Sequence, residues 1–450
     1  MGRLLPAVTP PMEILPFDPA DARAALRTLP ERGAVFALYG EAANAQPYIG
    51  RTPNLRGRLE RLLIPSLKHP KRLQLAGRVR RIAWRLTGSD FESLLLQFQL
   101  LEGIYGARAL ERMHLGAPSF VRFLGGNPYP RLTVTNRPSQ KEAAWSYGPF
   151  GSRTAAERFA EETLKLFLLR RCTDDLRPDP SHPGCVYSEM KMCLAPCYQG
   201  CTDERYEEES AAVERFLATR GESRLVQLKT QRDEASADLE FEAAAAVHAQ
   251  VLKAEAVRSL APEIVRPMSE LRAVILHSSA NTDQVAVFLY EKGRLRGPAA
   301  FSTLGMRIQN EQSGSSSLFA QPMSLEPVPE NNEQGPGTRE QEDKAQGTEG
   351  QSDKGTEAQS DRHAARAIRS MLEERMLAAL AELEATANAP DATVRQGHLA
   401  LLKRWYYRPE IKRPGEIFFP EGDGAWPVKA LLRGVGRIAA KSIGTPSPST

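Results

Sequence analysis

All five cysteines of this 450-residue chain fall within one short stretch, at Cys172, Cys185, Cys193, Cys197 and Cys201. A fold that uses cysteine as a small buried hydrophobe scatters it through its cores, so the clustering asks for another cause. Compartment narrows the choice. The start, "MGRLLPAVTPPMEILPF", has no apolar run long enough for a secretory signal. No stretch approaches the roughly 18 uninterrupted apolar residues that a membrane span requires. The chain therefore reads as cytoplasmic with no membrane partner, and there thiols stay reduced and structural disulfides are rare. A metal centre is preferred to a packed loop.

The spacing bears on which metal. Twelve residues separate Cys172 from Cys185, seven separate Cys185 from Cys193, and three separate Cys193 from Cys197 and Cys197 from Cys201. A zinc ribbon would show two CxxC knuckles, and neither is present. Four thiolates at long, unequal spacings suit an iron–sulfur cluster, whose larger cage draws ligands from separate loops. The expected ligands are Cys172, Cys185, Cys193 and Cys197, with Cys201 a spectator and zinc the runner-up.

Charge is distributed unevenly. Eleven Lys or Arg stand against one acid, Glu60, between Arg51 and Arg85, whereas twelve acids stand against six bases from Asp203 to Glu242. With opposite charge nearly absent from the first stretch, it reads as a polyanion-binding surface, and the acidic middle as a protein-binding one. The DNA-binding candidates are Arg51, Arg56, Arg58, Arg61, Lys71, Arg72, Arg78, Arg80 and Arg81.

The patterning predicts an α+β multidomain chain. Residues 28–112 alternate strand-like runs ("AVFALYG", "QPYIGR") with helical ones ("LRGRLERLL", "FESLLLQFQLLEGIYG"), giving a small α/β module. A connecting β/α segment covers 113–170 and the cysteine segment 171–202. A helical hairpin follows over 203–262, with "DLEFE" as its bend. A β-containing module is split between 268–306 and 395–440, its second and third strands joined at Lys292-Gly293. Between its parts, 307–365 is low complexity. Eleven acids and eight glutamines over 309–361 leave too little apolar surface to offset ordering entropy, so disorder is expected. An amphipathic helix over 366–388 carries Ile368, Met371, Leu372, Met376, Leu380 and Leu383 as one stripe.

These motifs, in this order, resemble the UvrC family, a component of the bacterial excinuclease that performs nucleotide excision repair. "AVF…PYIGRTPNLRGRL" resembles its GIY-YIG nuclease motif, and "WSYGPFGS" its FGPY segment. The run from Cys172 to Cys197, ending in "APC", matches the family's four-cysteine spacing. "ASADLEFEAAAAVHAQVLKA" resembles the UVR motif that docks onto UvrB, and "WYYRPEIKRPGEIFFP" the segment that follows it. The resemblance implies an iron–sulfur cluster on the four cysteines, DNA and UvrB as partners, and Leu239, Phe241, Ala244, Ala245 and Val251 as the UvrB-facing residues. The family's usual Arg-Asp pair on the second UVR helix is replaced by His248-Ala249. UvrC continues into an RNase H-like nuclease and helix–hairpin–helix units. No Asp/His set suited to a two-metal site follows residue 398, so 5′ incision is not expected of this chain.

The implied GIY-YIG site is degenerate. Tyr48 and Arg58 are kept. The first tyrosine of the motif is Phe36, which has no hydroxyl, and the lysine after YIG is Arg51, which does not lose a proton to act as a base. The glutamate that holds the divalent metal aligns with Gln97, an amide without the charge that retains Mg²⁺. A non-cutting accessory is expected. The alternative is an active GIY-YIG endonuclease, with Mg²⁺, making a single 3′-side incision.

Overall fold

The computed structural model describes residues 11–42, 45–65, 75–173, 175–304, 306, 353–385 and 390–443. Its strands form three four-stranded antiparallel sheets, and helices fill the layers around them.

The first sheet has the order β1-β4-β2-β3, from β1 (Glu13–Pro16), β2 (Ala34–Tyr39), β3 (Tyr48–Thr52) and β4 (Arg81–Leu86). The central strand β2, "AVFALY", is apolar throughout because both faces are covered. Ala34, Phe36 and Leu38 face α1 (Ala22–Arg27) and α2 (Leu55–Leu63), where they bury with Leu26, Leu55 and Leu59. Val35 points the other way, onto Leu96 and Leu100 of α3 (Asp90–Tyr105). The Asn54 side chain caps α2 by accepting from Gly57 N at 2.8 Å, and Ser89 caps α3 by accepting from Glu92 N at 3.1 Å. Because β1 pairs with β4 along Glu13–Pro16, the module begins upstream of residue 28, where the sequence patterning places its start.

After the short α4 (Ala109–Arg112) comes the second sheet, ordered β6-β5-β7-β8. It comprises β5 (Ser119–Phe123), β6 (Leu132–Thr135), β7 (Ser146–Phe150) and β8 (Arg266–Pro267), backed by α5 (Arg153–Leu164). What reads in sequence as a connecting segment is thus a folded layer. Its last strand returns from beyond the helical hairpin. The described residues of the cysteine segment hold one α-helical turn, α6 (Val186–Glu189), and a 3-10 turn at Pro196–Tyr198 before α7 (Asp203–Ala218), which buries Tyr206, Val213 and Phe216 in this layer's core. The hairpin itself is therefore narrower than 203–262. It consists of α8 (Glu222–Ala237) and α9 (Phe241–Ser259), with Leu225 and Leu228 packed on Val251 and Ala254.

The third sheet is ordered β11-β10-β9-β12, from β9 (Ala273–Ser278), β10 (Gln284–Glu291), β11 (Arg294–Ser302) and β12 (Glu416–Phe418). The β10–β11 hairpin turns at Lys292-Gly293, both at positive φ, as a tight turn there requires. Strand alternation assigns two cores. Val274, Leu276, Val285, Val287 and Leu289 face α10 (Asp353–Ala385) and α12 (Val428–Ile443). Ala273, Ile275, Ala286 and Phe288 face α3 and α11 (Ala392–Tyr406). On α10, the stripe of Leu372, Met376, Leu380 and Leu383 is buried as its spacing predicts, while Met371 is exposed. The helix runs Asp353–Ala385 rather than 366–388, taking in the end of the low-complexity segment; residues 307–352 of that segment lie outside the described residues.

One aromatic cluster joins the first and third sheets. Phe91 of α3 stacks on His277 of β9 with ring centroids 4.9 Å apart, and both rings contact Phe288 and Trp405. Gly88 sits so close to the Ser278–Ala280 backbone that a Cβ there would overlap it, and Ser278 Oγ donates to Gly88 O at 2.8 Å. Neither nitrogen of the fully buried His277 has a hydrogen-bond partner among the described residues. Burial, then the positive charge of Arg408, holds its pKa at about 3. The unfolded chain protonates this imidazole near pH 6.5 and the folded chain does not, so its contribution is present above pH 6.5 and lost as pH falls toward 3. The expected slope from this group is ~1.4 kcal/mol per pH unit in that window. Urea unfolding across pH 4–6 should show it, and His277→Leu should reduce the slope by about one proton whatever it does to absolute stability.

Candidate functional site

Register decides where the nuclease-like residues go. Phe36 pairs with Gly50 and Leu38 with Tyr48 across β2 and β3, on the α1–α2 side of the sheet. Phe36 is fully buried, and its ring lies over Gly50 so closely that a Cβ would stand 2.7 Å from Cζ. Glycine at position 50 is thus what lets an aromatic ring cross the neighbouring strand. Phenylalanine keeps that packing and drops only the hydroxyl. The Tyr48 ring is tilted against Phe36 at 6.1 Å and is only half-buried.

Arg51 takes the opposite face with Val35 and Ile49, toward α3. Its guanidinium pairs with Asp90, the first residue of α3, and the other oxygen of Asp90 accepts from Arg408 at 2.8 Å. Burial, then the nearby charges of Arg404 and Arg408, pull the Arg51 pKa below its ordinary value. Gln97 lies on the same helix, half-buried and without a hydrogen-bond partner among the described residues. The nearby carboxylates are both engaged elsewhere. Asp90 is committed to two arginines, and the buried Glu92 accepts from Gly88 N at 2.8 Å. Burial raises the pKa of Glu92 and outweighs that hydrogen bond and Arg85.

The basic run does not form one patch. Val35 is paired with both Arg51 and Arg85, whereas Arg81 is opposite Tyr39 at the far end of β2, four residues or about 13 Å away. Arg81 lies over the Tyr39 ring at 4.3 Å, and Arg80 is 3.6 Å from Glu41. Arg56 is spent on the fold, donating to Leu29 O at 2.7 Å and Glu31 at 2.6 Å, and Arg61 donates to Gly57 O of its own helix. Arg78 is exposed, Arg58 is half-buried on α2 with no ion-pair partner among the described residues, and Lys71 and Arg72 lie outside those residues. Sequence reasoning missed Arg404 and Arg408, because charge counted along the chain does not show that α11 ends beside β3.

The cysteine segment is a series of tight turns. Lys191, Ala195 and Gln199 all have positive φ although none is glycine, so each of Cys193 and Cys197 is bracketed by left-handed residues. Such strained backbone, at a cost of order 1–3 kcal/mol per residue, clusters at ligand sites. Ala195 N–H points at Cys193 Sγ and Tyr198 N–H at Cys197 Sγ, while Arg170 donates to Cys172 Sγ at 3.5 Å. Burial raises the pKa values of Cys193 and Cys197, and repulsion among Cys172, Cys185, Cys193 and Cys197 adds to it. All five cysteines are free of disulfides. No group of three or more Cys, His, Asp or Glu among the described residues has metal-holding geometry. The fit to a cluster is therefore one of donor chemistry: four neighbouring thiols with N–H groups aimed at sulfur. Cys201 interacts chiefly with Asp203 and Arg205.

At the far end of the hairpin, Leu239 and Phe241 are exposed, as is Ala245, while Ala244 is half-buried. Leu239 lies in the bend after α8, at φ +63°. Val251 is instead buried inside the hairpin against Leu225 and Leu228, so it is unavailable to a partner.

Residues 120–216, from β5 through the cysteines to α7, match the family model of the UvrC/Cho excinuclease middle domain. That stretch is similar to the middle domain of UvrC-type proteins. It is similar to the UvrABC system protein C of Ruminiclostridium cellulolyticum, 27% identical over 288 residues, which is 62% of this chain and 46% of that relative. The corresponding proteins of Shigella boydii serotype 18 and Escherichia coli O1:K1 are each 27% identical over 289 residues, 63% of this chain and 46% of theirs. The chain thus spans about half the length of these UvrC relatives. No solved structure matches it. Within this UvrC-type framework the Phe36–Gly50 contact is testable. Gly50→Ala should cost about 1–3 kcal/mol by overpacking. Phe36→Leu combined with it should cost less than the sum of the two changes, as measured by a denaturation double-mutant cycle.

Proposed function

We propose that this chain is a DNA-binding accessory of nucleotide excision repair, acting with UvrB and carrying a GIY-YIG module that does not cut. The observation that supports this most is chemical. The residues at the positions implied for proton transfer and metal binding are a fully buried phenyl ring, an arginine paired with Asp90, and an amide. None of the three supplies what the chemistry needs: a hydroxyl, a titratable base, or a charged oxygen for a hard cation. What survives is suited to holding a polyanion. Arg58 and Tyr48 present a cation and a polar ring tip beside β3.

The family resemblance also carries UvrB and an iron–sulfur cluster. The exposed Leu239 and Phe241 at the hairpin tip support the first, since apolar side chains there gain burial from a partner helix pair. Cys172, Cys185, Cys193 and Cys197 would hold the cluster, which would supply a structural crosslink and invert the local electrostatics by keeping the thiols ionised. This chain's part is to supply the sulfurs on strained turns with N–H groups aimed at them.

A nicking assay on supercoiled plasmid with Mg²⁺, alone and with UvrB and damaged duplex, tests the first reading. No nicking above background is expected. Efficient Mg²⁺-dependent nicking that Tyr48→Phe or Arg58→Ala abolishes would return the chain to the endonucleases. Anaerobically purified protein should be brown, with iron and sulfide in comparable amounts. Cysteine-to-serine changes at 172, 185, 193 and 197, but not Cys201→Ser, should each bleach it; colourless protein holding one zinc would overturn the cluster. Phe241→Ser should weaken UvrB capture at least about tenfold, the scale of a well-buried aromatic anchor.

A further inference from the structure

The Arg51–Asp90–Arg408 ion pairs lie at a seam between two modules far apart in the chain, and the charges there do not balance. Arg404, one turn before Arg408 at the end of α11, is exposed and has no ion-pair partner among the described residues. Three guanidiniums therefore gather near one carboxylate, which pairs with only two of them. Helix-end electrostatics accounts for Lys403, which donates to the carbonyls of Gly116 and Ala117, but not for Arg404 pointing into solvent beside two other arginines.

Past Arg408 the chain forms a short loop with an unusual tip. Trp405 Nε1 donates to Pro414 O at 3.0 Å and closes its base; Arg413 donates to Tyr406 O at 2.8 Å and lies over the Tyr406 ring at 5.0 Å. Lys412 N donates to Pro409 O at 2.8 Å, tightening the turn Glu410–Lys412. At its apex Ile411 is fully exposed. A loop braced this firmly, holding an isoleucine wholly in water with Lys412 beside it, gains nothing in folding from that side chain. Ile411 is three residues from Arg408, so it stands within about 10 Å of the seam.

We propose that this seam is a duplex-DNA docking surface: Arg51, Arg404 and Arg408 receive backbone phosphates, and Ile411 enters the adjacent minor groove as an apolar wedge between base steps. The proposal rests on the DNA-binding reading above and extends it to a module outside the nuclease-like one. The seam leaves room for phosphates, since one carboxylate offsets only one of three cations and phosphate contacts release counterions as they form. Aliphatic side chains on rigid supports are a known means of unstacking a base step, with the unstacking cost recovered through a bent duplex that meets more protein.

The test is fluorescence anisotropy of the full chain with a labelled duplex about 30 base pairs long, titrated across salt. Arg404→Gln should weaken binding about 3- to 10-fold and reduce the log–log salt slope by about one, whereas Lys429→Gln, the same charge change on the far side of the third sheet, should do neither. Ile411→Ser should leave the slope unchanged but abolish the fluorescence rise of a 2-aminopurine placed at the contacted step. A wild-type chain that binds duplex while Arg404→Gln keeps its affinity and slope would overturn the seam and leave the DNA-binding reading intact. If binding is lost with Arg404→Gln but 2-aminopurine stays dark with wild type, the wedge is overturned. A wild-type chain that binds no duplex at low salt would sink both readings.

Discussion

The joint of Phe91, His277, Phe288 and Trp405 is the contact on which the arrangement of the other modules depends. It is a desolvated stack with no polar exit for the imidazole, and it pins α3 of the nuclease-like module to the third sheet and α11. Because α3 also covers Val35 of the first sheet, one helix serves two cores. The position of Asp90 follows from this. It starts α3 at the place where the chain must pass Ser278–Ala280 with no room for a Cβ, and there its carboxylate meets Arg51 from one module and Arg408 from another.

Much of this was legible in the residues. The Lys292-Gly293 step marked a hairpin, and the leucine spacing on α10 marked the face it buries. Both are local signals, fixed by positive φ or by a 3.6-residue period. What escaped is what depends on distant pairing. β1 and β8 each complete a sheet from outside the segment that contains its other strands, and two- and four-residue strands carry too little pattern to announce themselves. The basic run was legible as charge but not as surface, since the strands separate Arg51 from Arg81 and return Arg56 to the fold. Val251 shows the same limit on the hairpin. The resemblance implies that it faces a partner, yet the packing shows it buried on Leu225 and Leu228.

Packing by itself constrains the residues around β3. The cross-strand contact of Phe36 with Gly50 suits a flat ring, so packing alone favours an aromatic there. Arg51 in place of a lysine likewise gains a two-sided role: a planar guanidinium meets a carboxylate with fixed geometry, where an ammonium offers a point charge.

The double duty of α3 has a consequence for anyone who would divide this protein. Cutting the chain after residue 112 at the boundary its sequence suggests would leave Phe91, Leu94, Leu95 and Phe98 without the third sheet and α11 that cover them. The fragment would carry a bare oily ridge along its longest helix, and it would behave in solution as a sticky, self-associating species. The first three secondary-structure layers are therefore inseparable as reagents: the smallest soluble unit containing the YIG strand is expected to extend through α12, whose Leu431, Leu432 and Val435 cover the other face of the third sheet.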